Sequence, residues 1–213
     1  MSTSNLDNFL TPASVALVGA SSKPGSVGQM ILANLVDGGF PGPVYAINPK
    51  PIDHPGAIWA PTIEALPSAP DLAIVATPAE TIPDVIARLG ARGTRSVVVI
   101  SAGLSKSNGL RQAMLDAARP HTLRIVGPNC IGMLMPHARL NASFARAEMR
   151  PGRLALISQS GALVTAILDW ASARDIGFSG VVSVGDMADV DLGDLIGLFA
   201  ADPQTDAILL NVE

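Results

Sequence analysis

The stretch from Val15 to Lys50 constrains this chain most. A short apolar run, Val15–Val18, stops at Gly19. A loop of small residues follows, Ala20 to Ser26. Apolar residues then return at helical spacing, at Val27, Met30, Ile31 and Leu35. Gly38-Gly39 stops that pattern, and a second apolar run, Val44–Ile47, begins. The order is strand, tight turn, helix, strand.

Such a unit is the mononucleotide-binding half of a Rossmann-type fold. Its turn must let backbone N–H groups approach an anion at a helix N-terminus. Gly19 permits the tight turn, and Gly25 and Gly28 allow close approach or helix packing. Ser21 and Ser22 add hydroxyls, and Lys23 adds charge. Five residues separate Gly19 from Gly25, so the loop is longer than a G-x-G-x-x-G fingerprint. A tight turn that binds nothing therefore stays open. After the second strand a dinucleotide site usually carries Asp or Glu for the ribose hydroxyls. This chain has Asn48-Pro49-Lys50. A lysine there suits a phosphorylated ribose, which NADP and coenzyme A (CoA) both carry. An exposed loop lysine is the alternative.

Nearly half of the 213 residues are apolar and only 15% are charged, which is ample for a buried core. Aromatics are scarce, so Ala, Val, Ile and Leu must fill it, as suits strands covered on both faces. A net charge of −4 with no basic run argues against nucleic acid and anionic membrane surfaces as partners. The N-terminus lacks a signal-peptide pattern, no apolar run is long enough to span a bilayer, and Cys130 is the only cysteine. The expected compartment is the cytoplasm.

Along the chain, residues 1–11 read as a lead whose Phe9 and Leu10 dock on the first strand. Residues 51–61 read as a loop with at most a short strand at Ile58-Trp59. Thr62–Leu66 reads as a short helix. Leu72–Ala76 is a buried strand ending in Thr77-Pro78, followed by a helix over Ile82–Leu89. Val97–Ile100 is a strand ending in Ser101-Ala102-Gly103, followed by a helix over Gly109–Arg119. Leu123–Val126 is a strand ending in Gly127-Pro128-Asn129-Cys130. Alternating strands and helices predict a parallel sheet with right-handed crossovers, so these turns share one rim. Ligands of open α/β sheets bind at that rim.

Residues 133–151 lack clear periodicity and read as a connector holding a domain boundary. We expect two domains, 1–135 and 136–213. In the second, Leu154–Ile157, Gly180–Val184 and Ala207–Val212 read as strands, and Ala162–Arg174 and Leu192–Ala200 as helices. Three strands and two helices are few for a doubly wound domain, which suggests a piece of a longer protein. Ser158, Ser160 and Gly161 sit at a helix N-terminus and suit an anion, with a plain N-cap as the alternative. The glycine required two residues before a nucleophile-elbow serine is Ser158 here, so no hydrolase motif is present. Asp186, Asp189, Asp191 and Asp194 crowd one segment. Their spacing is not that of an EF-hand, and acids complementing a helix dipole explain Asp189–Asp194 more simply. No metal ligand set and no catalytic residue is assigned.

Taken in order, the Gly19–Gly28 loop, Asn48-Pro49-Lys50, Thr77-Pro78, Ser101-Ala102-Gly103 and Gly127–Gly132 resemble the CoA-binding domain of succinyl-CoA synthetase alpha chains. More closely, they resemble NDP-forming acyl-CoA synthetases. The segments Leu140–Phe144, Ser158–Ala162, Leu168-Asp169-Trp170 and Asp186–Asp191 look like the start of the ligase-type domain that follows. The same arrangement occurs in bacterial GNAT-fused protein lysine acetyltransferases. The resemblance implies a Rossmann-like parallel-sheet domain followed by part of a flavodoxin-like domain. It implies that Gly19, Ser21, Ser22 and Lys23 meet the CoA phosphates and that Lys50 meets the ribose phosphate. Thr77, Pro78, Ser101, Ala102 and Gly103 would line the pantetheine path, with Asn129 near the thiol.

Ligases of this kind pass phosphate through a histidine in a Gly-His-Ala-Gly context, and none of His54, His121 and His137 stands in one. The expectation is therefore a module that binds CoA or an acyl-CoA without turnover. Its partners are the rest of a ligase or acetyltransferase chain, where ATP, ADP and Mg2+ would act. A homo-oligomer stays open. The rival is an NADP-binding oxidoreductase domain, for which no proton-transfer residue can be named. A third reading is a structural or regulatory module with a vestigial cleft.

Overall fold

Every short apolar run of the first half forms a strand of one parallel sheet. The computed structural model describes residues 5–147 and 150–213. The first four residues of the N-terminal lead and two within the expected connector lie outside the described residues. Strands β1 (Val15–Val18), β2 (Val44–Ile47), β3 (Ile58–Ala60), β4 (Leu72–Val75), β5 (Ser96–Val99) and β6 (Arg124–Val126) pair in the order β3-β2-β1-β4-β5-β6. All five pairings are parallel. The order reverses direction at β1, so a crevice opens between the turns after β1 and β4.

The period of two distributes side chains between two faces. In β1, Val15 and Leu17 enter one cluster with Ile31 and Leu35 of helix α2 (Val27–Asp37). Ala16 and Val18 enter the opposite cluster with Val85, Ile86 and Leu89 of helix α3 (Ile82–Arg92). Helix α4 (Leu110–Ala118) adds Met114 to that second face. The lead docks as expected: a short helix, α1 (Asp7–Leu10), buries Phe9 completely against the first face.

Helix ends follow local chemistry. Ser26 caps α2 by accepting the Gln29 N–H. Helix α3 runs three residues beyond the expected Leu89 and stops at Gly93, whose φ of +117° suits a glycine cap. Gly90 stays inside it because His121 packs against its missing side chain.

The expected irregular connector is instead a hairpin. Strands β7 (Gly132–Met135) and β8 (Leu140–Ser143) pair antiparallel, and every one of their residues is buried. They join β9 (Pro151–Ser158), β10 (Phe178–Ser183) and β11 (Ala207–Asn211) in a second sheet ordered β11-β9-β10-β7-β8. Strand β7, which ends at Met135, therefore pairs within the second sheet. Helices α5 (Gly161–Ser172) and α6 (Leu192–Ala201) cover opposite faces of this sheet, through Val164 and Leu168 on one side and Leu195 and Phe199 on the other. Asn34 of α2 donates from Nδ2 to the Ser143 and Ala145 carbonyls, at 2.8 and 3.0 Å. One apolar cluster spans both sheets, from Leu17 and Ile31 to Met133, Val182 and Phe199.

Residues 186–190 run along the outer edge of β6. The Asp186, Ala188 and Val190 amides donate to the Pro128, Gly127 and Ile125 carbonyls, at 2.9, 2.9 and 3.0 Å. Asp189 Oδ2 accepts the Ile125 N–H at 2.8 Å and the Arg124 Nε–H at 3.1 Å. Arg124 also donates to Asp194 Oδ2 at 2.6 Å. The acids of this segment are thus tied into the fold. Asp191 and Asp194 form a capping box on α6, and Asp186 Oδ1 accepts from Asn129 Nδ2.

Candidate ligand cleft

The turn after β1 lies flat against its neighbours. Gly19 has φ +93°, and a Cβ there would stand 2.7 Å from the Ala76 carbonyl oxygen. A Cβ on Gly28 would stand 2.1 Å from the Gly19 carbonyl oxygen, so the first turn of α2 rests directly on the loop. The loop is held by its own hydroxyls. Ser21 Oγ accepts the Lys23 N–H at 3.1 Å, and the Ser26 hydroxyl donates to the Lys23 carbonyl at 2.8 Å. Ser22 and Lys23 are exposed above it.

Asn48 ties this loop to the next turn. Its Nδ2 donates to the Ala20 carbonyl at 2.8 Å, and its Oδ1 accepts the Lys50 N–H at 2.8 Å. Its own carbonyl accepts from Trp59 Nε1 at 2.9 Å. The exposed Lys50 side chain is therefore carried on a braced turn. Nothing in the residue types alone marked Asn48 as this brace.

Two cavities share Ala76 in their walls. The first, about 430 Å³, opens between the ends of β1, β2 and β4 and is lined by Gly19, Ser21, Pro49, Thr77 and Pro78 among others. The second, about 570 Å³, lies between the two sheets and is lined by Ser101, Ala102, Asn129, Phe144, Ser160 and Gly161 among others. Both volumes fall in the range of small-molecule sites. Ser101 donates to the Thr77 carbonyl at 2.6 Å, and Thr77 Oγ1 accepts from Thr81 at 2.8 Å, which ties the wall of one cavity to that of the other.

The expected site residues thus divide. Gly19, Ser21, Thr77 and Pro78 line the first cavity. Ser101, Ala102, Asn129, Ser160 and Gly161 line the second. Ser22, Lys23, Lys50 and Gly103 lie outside both walls and are exposed, and the Gly103 carbonyl accepts from Asn108 Nδ2. Ser158 is fully buried and lines neither cavity. Its hydroxyl accepts the Ser160 N–H at 3.1 Å and lies 3.0 Å from both the Ser160 carbonyl and Asn211 Oδ1, so it shapes the turn. Ser160 caps α5 by accepting the Leu163 N–H. Ile131, Phe144 and Gln159 also line the second cavity; Ile131 and Phe144 flank the β7–β8 hairpin and Gln159 follows β9, and the pairing of the second sheet brings them together.

Cys130 also borders the second cavity but is only 5% exposed. Burial pushes its thiol up to about 12, and Sγ lies 3.3 Å from the Val99 carbonyl. A thiol so protonated reacts slowly. We expect a thiol-specific chromogenic reagent to leave the native protein unlabelled for hours at pH 8 and to label it fully in denaturant. Fast labelling of native protein would contradict this burial.

Fold and cleft together define a Rossmann-type α/β unit joined to a second α/β unit that closes one end of its cleft. Comparison with known proteins agrees. Residues 13–136 match the family model described as a CoA binding domain, and residues 151–213 match the succinyl-CoA ligase like flavodoxin domain. The chain belongs to the CoA-binding domain family, followed by this ligase-like domain. It is 38% identical over 98% of its length to the ADP-forming acetate–CoA ligase I alpha subunit of Pyrococcus furiosus, covering 47% of that protein. It is 37% identical to the ADP-forming acetate–CoA ligase I of Archaeoglobus fulgidus, covering 31% of it. A structure of the dinucleotide forming acetyl-coenzyme A synthetase 1 of Candidatus Korarchaeum cryptofilum, in complex with phosphate and ADP, superposes with a TM-score of 0.92. It is 37% identical, with 98% of this chain and 45% of that one covered. The chain therefore spans at most about half the length of these relatives. The motif resemblance to NDP-forming acyl-CoA synthetases is borne out. No helix among the described residues is long and apolar enough to cross a membrane.

Proposed function

We propose that this chain binds CoA, or an acyl-CoA, as the CoA-binding part of an ADP-forming acyl-CoA ligase. The observation that carries this reading is the pair of cavities that share Ala76, the first bordered by a glycine loop that leaves no room for a side chain at Gly19 or Gly28. CoA is long, with a charged nucleotide end and a neutral thiol arm. The cleft offers a similar division: Ser22, Lys23 and Lys50 stand exposed at the outer turns, and the two cavities are lined mostly by uncharged residues.

In this reading Gly19, Ser21, Ser22 and Lys23 hold the diphosphate at the α2 N-terminus. Lys50 pairs with the ribose phosphate, presented by the Asn48 brace. Thr77, Pro78, Ser101, Ala102 and Gly103 guide the pantetheine arm, and Asn129 receives its thiol end. Ser160 and Gly161, across the second cavity, suit an acyl phosphate or phosphate at the α5 N-terminus. Bound CoA supplies the thiol that accepts the acyl group. Residues of this chain orient that thiol and keep water from it. We place ATP, ADP and Mg2+ in parts of the parent ligase other than these residues. An acetyltransferase parent and an NADP-linked dehydrogenase have no observation in their favour.

Calorimetric titration tests the reading. CoA should bind and NADPH should give no heat; dephospho-CoA should bind about ten- to a hundredfold more weakly, since one charge-assisted contact is worth about 1.5–3 kcal/mol. Lys50→Ala should bring CoA down to the dephospho-CoA level. NADPH binding without CoA binding would overturn the proposal.

A further inference from the structure

The first cavity has one charged wall residue, and its charge is already answered. Arg88, on α3, lines the cavity beside Pro49, Ile63 and Val85 and is 38% exposed. Its Nε donates to Glu64 Oε1 at 2.7 Å and its Nη2 to Glu64 Oε2 at 2.6 Å. Its Nη1 donates to Asp84 Oδ2 at 3.4 Å. All three guanidinium nitrogens thus face carboxylates.

A guanidinium donates only in its own plane. With three of its five N–H groups taken, its flat face is the broadest surface it offers a ligand. The two-point fork on Glu64 also fixes the orientation of that plane. Two carboxylates against one guanidinium leave the local balance negative, which disfavours a phosphate here. Pro49, Ile63 and Val85 add apolar surface. A flat cation between apolar walls, its plane fixed and three of its five donors taken by carboxylates, suits a neutral aromatic ring. The clamp also survives acid, because hydrogen bonds from Arg88 hold the Glu64 carboxyl down at about 2.

We infer that Arg88, clamped by Glu64 and Asp84, is the stacking platform for the purine ring of the ligand in the first cavity. This deepens the CoA reading and rests on it. It makes Arg88 a determinant of nucleotide recognition that contacts no phosphate.

The test is calorimetric titration of wild type, Arg88→Ala, Arg88→Lys and Glu64→Gln with CoA, dephospho-CoA and 4′-phosphopantetheine. Folding of each variant is checked by circular dichroism. Arg88→Ala should weaken CoA and dephospho-CoA by the same factor, roughly tenfold, and leave 4′-phosphopantetheine unchanged. Arg88→Lys keeps the charge but not the plane and should not restore affinity. Glu64→Gln frees the plane and should lose part of it, about threefold. If Arg88→Ala weakened CoA but not dephospho-CoA, Arg88 would be a phosphate ligand and the platform idea would fall. Equal loss for all three ligands would mean cavity distortion and would also overturn it. Should Arg88→Ala not fold, wild-type affinity for CoA in both Arg88→Lys and Glu64→Gln would refute the platform. Wild-type protein that bound no CoA would refute the CoA reading itself. Unchanged CoA binding in Arg88→Ala would refute only the platform.

Discussion

Replacing Gly28 with alanine is expected to cost about 3 kcal/mol of stability and to abolish ligand binding in the first cavity. The added methyl would stand 2.1 Å from the Gly19 carbonyl oxygen, a backbone atom that no rotamer change can move. Helix α2 cannot lift away cheaply, because Ile31, Leu32 and Leu35, on the same face as Gly28, are buried in the core and would lose that packing. The loop must give instead, and the loop is the proposed diphosphate seat. Gly197 in α6 is the control, since a Cβ there meets nothing within 4 Å. Gly197→Ala should be neutral or stabilising by about 0.5–1 kcal/mol. Urea unfolding monitored by circular dichroism, with CoA titration of the same samples, measures both. A Gly28→Ala protein of unchanged midpoint and unchanged CoA affinity would mean that the helix does not rest on the loop.

Removing the Arg124 side chain is the other large perturbation. Its side chain is 15% exposed and its partner Asp194 only 8%. Arg124→Ala strands a carboxylate that has little water to turn to, and the loss of one partner of a buried pair costs about 3–5 kcal/mol. Asp194 also closes the capping box with Asp191, so the damage should spread to the start of α6. The double variant Arg124→Met, Asp194→Asn should be less destabilised than Arg124→Met alone, because it removes the orphaned charge. Arg153→Ala, which breaks an exposed pair with Asp206, should leave the denaturation midpoint unchanged. Equal midpoints for Arg124→Met and the double variant would show that the pair is not energetically coupled.

Much of the first sheet was legible, because its strands are uninterrupted apolar runs closed by Gly, Pro and small polar residues. Residues 72–75 and 97–99 are covered on both faces, so no polar residue breaks these runs and the turns beyond stand out. The hairpin β7–β8 was not legible for the opposite reason. Gly132 and Pro136 punctuate it, Asn141 and Ser143 lie inside a buried strand, and their polar atoms satisfy one another: the Ser143 hydroxyl donates to Asn141 Oδ1 at 2.7 Å. Buried polar residues that bond locally look like a loop in one dimension. Of the cleft, the glycine loop and the strand-end turns could be read from the chain. Arg88 could not, since Glu64 reaches it from 24 residues away and nothing in a helix-face arginine marks the cavity beside it. Arg124 likewise gains its meaning from Asp189 and Asp194, 65 and 70 residues further on.

The strip of backbone from Asp186 to Val190 along β6 has a consequence for how the molecule comes apart. An exposed strand edge invites pairing with a foreign chain. Here three amides from the distal half occupy that edge, so the Ile125, Gly127 and Pro128 carbonyls have no vacancy for an intruder. Opening either half must break bonds belonging to the other. The two halves should therefore melt as one cooperative unit, and the Ala188 and Val190 amides should exchange with solvent deuterium as slowly as those in the middle of β1. A molecule that held its two sheets by a linker could breathe between them. In this one the cavity between the sheets opens only as far as the seam along β6 lets go.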